Sequence, residues 1–342
     1  MSKVVTLGEI MLRLSPPGNE RFIQATSFEV NYGGGEANVA VSLANYGHKV
    51  SFVSKVPANA IGDCAVASLR KFNVNCDYVS RGGERLGIYY LENGASIRSS
   101  SVVYDRKNSA ISEANIEDFN FDEIFEGKDL FHISGITPVI SKNGAKLTLE
   151  ALKYAKKYNV KVSFDLNYRA KLWIDEIGEK QEMLSEMMRY VDICFGNARD
   201  AAKMLGYNDG ENDFINCEYS ICINKENMKK VLNKYGFEYL VTTKRESISA
   251  SDNGWSAAVC NNENIYDSKK YNLHIVDRVG SGDSFAAGFL HGILSNYTIE
   301  KSLEFATAAA AIKHTIPGDL NIATVDEVLK LALGDGAGRV DR

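Results

Sequence analysis

Short runs of β-branched and aromatic residues alternate along this chain with stretches of helical periodicity, and no other feature narrows its possible folds as much. The strand-like runs fall at residues 4–7, 50–53, 130–133, 160–164, 193–195 and 239–242, and helical stretches at 37–46, 145–158 and 182–190 lie between several of them. Strand, helix and strand in that order call for crossover connections, so the expected core is a mainly parallel sheet with helices on both faces. In such a sheet ligands gather at the carboxyl ends of the strands. After Gly280 the pattern turns helical, over 283–294, 299–314 and 324–333.

Two stretches break this rhythm. About 12–31 and 86–104 read as strands with no helix between them, and a hairpin is expected where 88–91 turns through Glu92, Asn93 and Gly94. A small antiparallel sheet standing off the core is their simplest home, placed to cover a cleft as a lid. Residues 207–224 are polar, rich in Asn and Asp, and read as a surface insertion, while 335–342 lack apolar periodicity and read as a flexible tail. The alanine-rich run 306–311 leaves room for a close-packed helix or for a flat ligand.

Composition excludes several classes. With 45% hydrophobic and 24% charged residues the chain can bury a core, which rules out disorder. A formal net charge of -5 at pH 7 disfavours nucleic acid and anionic membrane as partners, so an anionic substrate needs local cations. No apolar run reaches the roughly 18 residues of a membrane span, and the chain enters its first strand without a basic-then-apolar leader, which predicts a cytoplasmic protein. The six cysteines (Cys64, Cys76, Cys194, Cys217, Cys222 and Cys260) form no Cys-x-x-Cys and are expected as reduced thiols. The five histidines show no zinc-binding spacing.

Chemistry concentrates in two glycine-bearing segments. The first, Asp277-Arg278-Val279-Gly280-Ser281-Gly282-Asp283, runs from a strand end into a helix. Its backbone N–H groups and the helix start can hold phosphoryl oxygens, with Asp283 placed to accept a hydroxyl proton, although an N-capped helix after a tight turn gives the same local pattern. The second, Tyr32-Gly33-Gly34-Gly35-Glu36-Ala37-Asn38, removes side-chain bulk so that a polyhydroxy ligand can touch backbone, with Asn38 offering both donor and acceptor. No Gly-x-x-x-x-Gly-Lys-Ser/Thr occurs, which excludes a P-loop. Phe285 stands where a dinucleotide fingerprint needs glycine, which disfavours a nicotinamide dehydrogenase.

Taken together, an early Gly-Gly-x-x-x-Asn and a late Gly-Ser-Gly-Asp, about 245 residues apart in an alternating α/β chain, resemble the ribokinase-like (PfkB) carbohydrate kinases over nearly the whole length. The resemblance implies a Rossmann-like three-layer core with a small β-sheet lid, a kinase domain over 1–334, ATP and Mg²⁺ as cofactors, and a homo-oligomer. It also implies an anion hole at Gly280, Ser281, Gly282 and Asp283, with Asp283 as catalytic base. Asp165, Asn167, Asn197, Thr242, Lys244 and Gly254 would join Gly280 and Gly282 around the nucleotide. Asn197 and Asp200 resemble the family's Asn-x-x-Glu segment, which organises the metal indirectly, with an acid one methylene shorter here. Lys55-Val56-Pro57 departs from the family pattern, carrying Pro where Gly is common.

On the substrate side the chain resembles the branch that phosphorylates 2-keto-3-deoxygluconate at its C6 hydroxyl. The stretches that carry this are 87–89, Tyr104-Asp105-Arg106, 165–169, 277–279 and 314–319. That branch implies contacts to the sugar acid from Gly33, Gly34, Asn38, Tyr89, Tyr104, Arg106 and Arg169, and from Asp319 to a hydroxyl. Residue chemistry agrees, because an aldonic acid brings a carboxylate that a guanidinium can pair with. A fructokinase or another sugar kinase of the family, and a noncatalytic sugar or nucleotide sensor on the same scaffold, remain as alternatives at this stage.

Overall fold

The computed structural model describes residues 1–216 and 218–334, so the expected tail at 335–342 and the state of Cys217 lie outside the described residues. From edge to edge the main sheet runs Ile265–Asp267, Asp252–Cys260, Tyr239–Ser247, Ile193–Phe195, Lys161–Asp165, Leu130–Ser134, Lys3–Leu7, Lys49–Val56 and Val79–Arg81. Every pairing from Tyr239–Ser247 to Val79–Arg81 is parallel. Asp252–Cys260 turns antiparallel and also carries Tyr271–His274. That antiparallel edge had no counterpart in the strand runs read from the sequence.

Side-chain alternation along the strands divides the core in two. Val5, Leu7, Phe131, Ile133, Val162 and Phe164 enter a cluster with the helices Lys142–Lys157, Ile177–Met187 and Lys225–Tyr235. Val4, Leu130, Ile193, Phe195 and Val241 face the opposite cluster, with Gly35–Asn45, Ser281–Leu294 and Ile299–Lys313. Each such side chain, removed from water, contributes about 1.5–3 kcal/mol before the entropy of ordering the chain is subtracted. Ala306, Ala308, Ala309 and Ala310 are fully buried in the second cluster, so that run serves helix packing and not a flat ligand.

A separate four-stranded sheet has the order Glu29–Gly33, Met11–Ser15, Ile88–Glu92 and Ser101–Asp105. Its central pair is parallel, a departure from the expected antiparallel sheet. Met11–Ser15 and Ile88–Glu92 both leave the carboxyl ends of parallel core strands and therefore enter the small sheet pointing the same way. The connection at 93–100 is also longer than the tight turn expected at Glu92. Glu92 stays in the strand because its carboxylate accepts a bond from the Phe22 N–H (3.0 Å) and pairs with Arg98 (2.9 Å).

The segment 207–224 is less superficial than its composition suggests. Tyr207, Phe214 and Cys222 are buried in the first core cluster. Asp209 and Asp213 close local turns through backbone N–H groups, which accounts for the polar residues. Among the described residues no helix is long and apolar enough to cross a membrane.

Candidate active site

The carboxyl ends of the parallel strands and the inner face of the small sheet enclose a cavity of about 660 Å³, a size suited to small molecules. The two glycine-bearing turns meet at its floor. Asn38 Nδ2 donates to Asp283 Oδ2 at 2.7 Å, joining segments 245 residues apart. Gly280 adopts φ +78° and precedes the helix Ser281–Leu294, so the N–H groups of the first turn stand at the cavity wall with no intrahelical partner. A Cβ at Gly280 would lie 1.9 Å from the Asp319 carbonyl oxygen, and one at Gly33 would lie 2.4 Å from Asp319 Oδ1. Gly280→Ala is therefore expected to displace the turn and lower turnover by about a hundredfold or more, measurable as kcat together with a lowered melting midpoint.

Three further carboxylates share this end of the sheet. Asp165, at the end of Lys161–Asp165, is pushed up to about 7 by burial and then by Asp283, with Arg169 opposing. Asp200 is pushed up to about 6 by burial, with Lys203 opposing. Burial also raises Asp283, against the pull of the Asn38 bond. Glu36 is fully buried and raised for the same reason, while its Oε1 accepts a bond from the Ser134 N–H at 2.9 Å. Because the folded state holds the Asp165 proton above the unfolded carboxylate range, this group's contribution to stability is present at low pH and lost as pH rises toward about 7. Asp165→Asn should remove that decline in the ligand-free protein, by on the order of 1–2 kcal/mol once screening by cavity water is allowed for; urea unfolding at about pH 5 and about pH 8 measures it.

Asn197 caps the helix Ala198–Leu205, its Oδ1 accepting from the Arg199 and Asp200 N–H groups while its Nδ2 donates to Asp200 Oδ2 at 2.6 Å. Asn197, Asp200, Asn167 and Thr242 all line the cavity. Among the described residues no three His, Cys, Asp or Glu side chains form a preformed metal cage. Clustered acids with raised pKa values and an open cavity nevertheless suit Mg²⁺, an ion that keeps several waters and takes phosphate oxygens as ligands. Lys244 and Gly254, expected at the nucleotide, do not line the cavity. Lys244 Nζ pairs with Asp267, and Gly254 lies opposite Glu246 and against Lys270, on the part of the strand pair that runs past the cavity.

Of the residues expected at the sugar acid, Gly34, Asn38, Tyr89, Tyr104, Arg106, Arg169 and Asp319 line the cavity, while Gly33 lies behind it against the Asp319 side chain. Arg106 is not free: its Nη2 donates to buried Glu9. Arg169 is exposed, and its Nη1 donates to the Tyr168 carbonyl at 3.2 Å. Asp319 accepts from the Tyr89 hydroxyl and from Arg13 Nη1. Four residues in or beside the cavity escaped the sequence reading. Glu9 follows the carboxyl end of the first strand, a position the topology itself marks as a site. Glu36 is an acid inside an otherwise apolar helix start, which is a signal; Arg13 had none. Tyr219, within the supposed surface insertion, lines the cavity and donates to the Thr243 carbonyl at 2.9 Å.

With this geometry in place, comparison with known proteins decides the family. The profile of the pfkB family carbohydrate kinases matches residues 1–324. The chain belongs to the PfkB family. As a carbohydrate kinase of this family it uses ATP. It is 32% identical over 342 residues to 2-dehydro-3-deoxygalactonokinase of Haloferax volcanii, covering 100% of this chain and 99% of that one. The crystal structure of 2-dehydro-3-deoxygluconokinase from Thermotoga maritima superposes with a TM-score of 0.90 at 48% identity, covering 97% of this chain and 98% of that one. A putative 2-keto-3-deoxygluconate kinase from Enterococcus faecalis also superposes with a TM-score of 0.90, at 29% identity, over 100% of this PfkB chain and 99% of its own.

Proposed function

We propose that this PfkB kinase transfers the γ-phosphoryl group of ATP to the C6 hydroxyl of 2-keto-3-deoxygluconate. The observation that carries this reading is that Arg106 and Arg169 line the same cavity as Asp283, in a protein whose net charge is -5. A neutral hexose offers these guanidinium groups no charge to pair with, whereas an aldonic acid presents a carboxylate that such groups bind by charge-assisted bonds. The relatives named for 2-dehydro-3-deoxy sugar acids support the same class.

In this reading the acid end of the substrate lies toward the small sheet and its terminal hydroxyl toward Asp283. The Asp283 carboxylate takes the hydroxyl proton as O6 attacks the γ-phosphorus, the bond to the β,γ-bridging oxygen breaks, and ADP leaves. Backbone N–H groups at 282–283 hold the equatorial oxygens of the migrating group. Asp165, Asp200 and Asn197 would hold Mg²⁺ with its waters, which supplies neutralising charge on the phosphates when bound. The small sheet, carrying Tyr89 and Tyr104 over the cavity, acts as the lid that keeps water out.

A coupled ADP-release assay tests the assignment with 2-keto-3-deoxygluconate, its galactonate epimer, gluconate, fructose and ribose in parallel. The expected kcat/KM for the keto-deoxy acids exceeds that for fructose and ribose by about a hundredfold or more. Equal or faster turnover of a neutral sugar overturns the acid assignment.

A further inference from the structure

Met11–Ser15 presents Met11, Arg13 and Ser15 on its buried side. An arginine in the middle of such a face is unfavourable unless its charge and its donors are met, and here they are met by residues from the far end of the chain. Arg13 is 2% exposed and does not line the cavity. Its Nη2 donates to Asp277 Oδ2 at 2.7 Å, its Nη1 to Asp319 Oδ2 at 2.9 Å, and its Nε to Ser15 Oγ at 2.9 Å. Burial opposes the guanidinium charge, and the two carboxylates more than compensate for it.

Those two carboxylates belong to the loops that shape the phosphate-binding turn. Asp277 Oδ1 accepts from the Val279 N–H at 3.0 Å, and its Oδ2 accepts from the Gly318 N–H at 3.0 Å. Asp319 presses its backbone carbonyl against Gly280 so closely that no Cβ would fit there. One planar fork thus ties the approach to Gly280 to the loop packed against Gly280. The direction of the N–H groups that follow depends on both.

We propose that Arg13 is a positioning residue of the phosphoryl-transfer site, bridging Asp277 and Asp319 so that the seating of the small sheet and the shape of the turn at Gly280 are set together. It touches neither substrate nor nucleotide and acts through the two aspartates. A misdirected N–H costs most where charge develops in the transition state, so the effect falls on kcat and spares nucleotide binding. The proposal rests on the kinase reading of this cavity but not on which sugar acid fills it.

The test uses Arg13→Lys, which keeps the charge but offers a point donor in place of a fork, so that it can serve one carboxylate and not both. Turnover is measured on whichever acceptor the parent phosphorylates fastest, so an error in the acceptor assignment leaves this test intact. The expected result is a kcat lowered by about thirtyfold or more with nucleotide KM changed by less than about threefold. Asp277→Asn should show the same split, and the double variant should be no slower than the slower single one, because both changes break one linkage. A kcat within about threefold of the parent in the lysine variant, or losses that multiply in the double variant, overturns the proposal. Should Arg13→Lys fail to fold, Asp277→Asn alone decides: lowered kcat with nucleotide KM preserved supports the role, and unchanged kcat overturns it.

Discussion

Replacing Asp283 with asparagine is expected to lower kcat by about a thousandfold while nucleotide KM stays within about a factor of three. The amide keeps the size of the carboxyl, and its oxygen can still accept the bond that Asn38 Nδ2 now makes to Asp283 Oδ2. What it loses is the capacity to take a proton from the attacking hydroxyl. Burial already raises the Asp283 carboxyl from its ordinary value, which strengthens it as a base and makes its ionised form costly. The variant should accordingly melt no lower than the parent at neutral pH. Steady-state ADP release and a thermal melt in parallel check both statements, and turnover within about tenfold of the parent removes Asp283 from the role of base.

Arg106→Ala should raise KM for the sugar acid by about a hundredfold and leave any slow turnover of neutral sugars nearly unchanged. Two losses add at this position. In the proposed reading the substrate carboxylate loses a guanidinium partner, and Glu9, 4% exposed, is left as a buried carboxylate without its cation at the same wall of the cavity. An unpaired Glu9 repels an anionic substrate in particular, which is why the effect discriminates between acid and neutral acceptors. Arg106→Ala combined with Glu9→Gln should recover part of the loss, since it removes the repulsion while leaving the missing attraction. Comparing kcat/KM for the acid and for fructose across these variants measures the discrimination. Equal losses on both acceptors would falsify the carboxylate contact.

Much of the architecture was legible because strand and helix periodicities are local. The runs at 4–7, 130–133 and 160–164 became the central parallel strands, and helix boundaries near 283–294 and 299–314 moved by at most a few residues. Errors came where pairing partners lie far apart in sequence. The parallel centre of the small sheet follows from how two strands leave the core, and the insertion at 207–224 became part of a core because Tyr207 and Phe214 found apolar neighbours.

The same division runs through the site. Sequence alone determined that a glycine-bearing turn at Gly280 leads into a helix with Asp283 in its first turn, and that Gly33 and Gly34 lead into another with Asn38 near its start, since turn chemistry and helix starts depend on a few adjacent residues. Only the tertiary structure decided that Asn38 reaches Asp283, that Arg106 is held by Glu9, and that Arg13 is buried between Asp277 and Asp319. Nothing local distinguishes Arg13 from a solvent-facing arginine between Leu12 and Leu14. Its partners stand 264 and 306 residues away, and a buried charge is tolerated only where such partners converge.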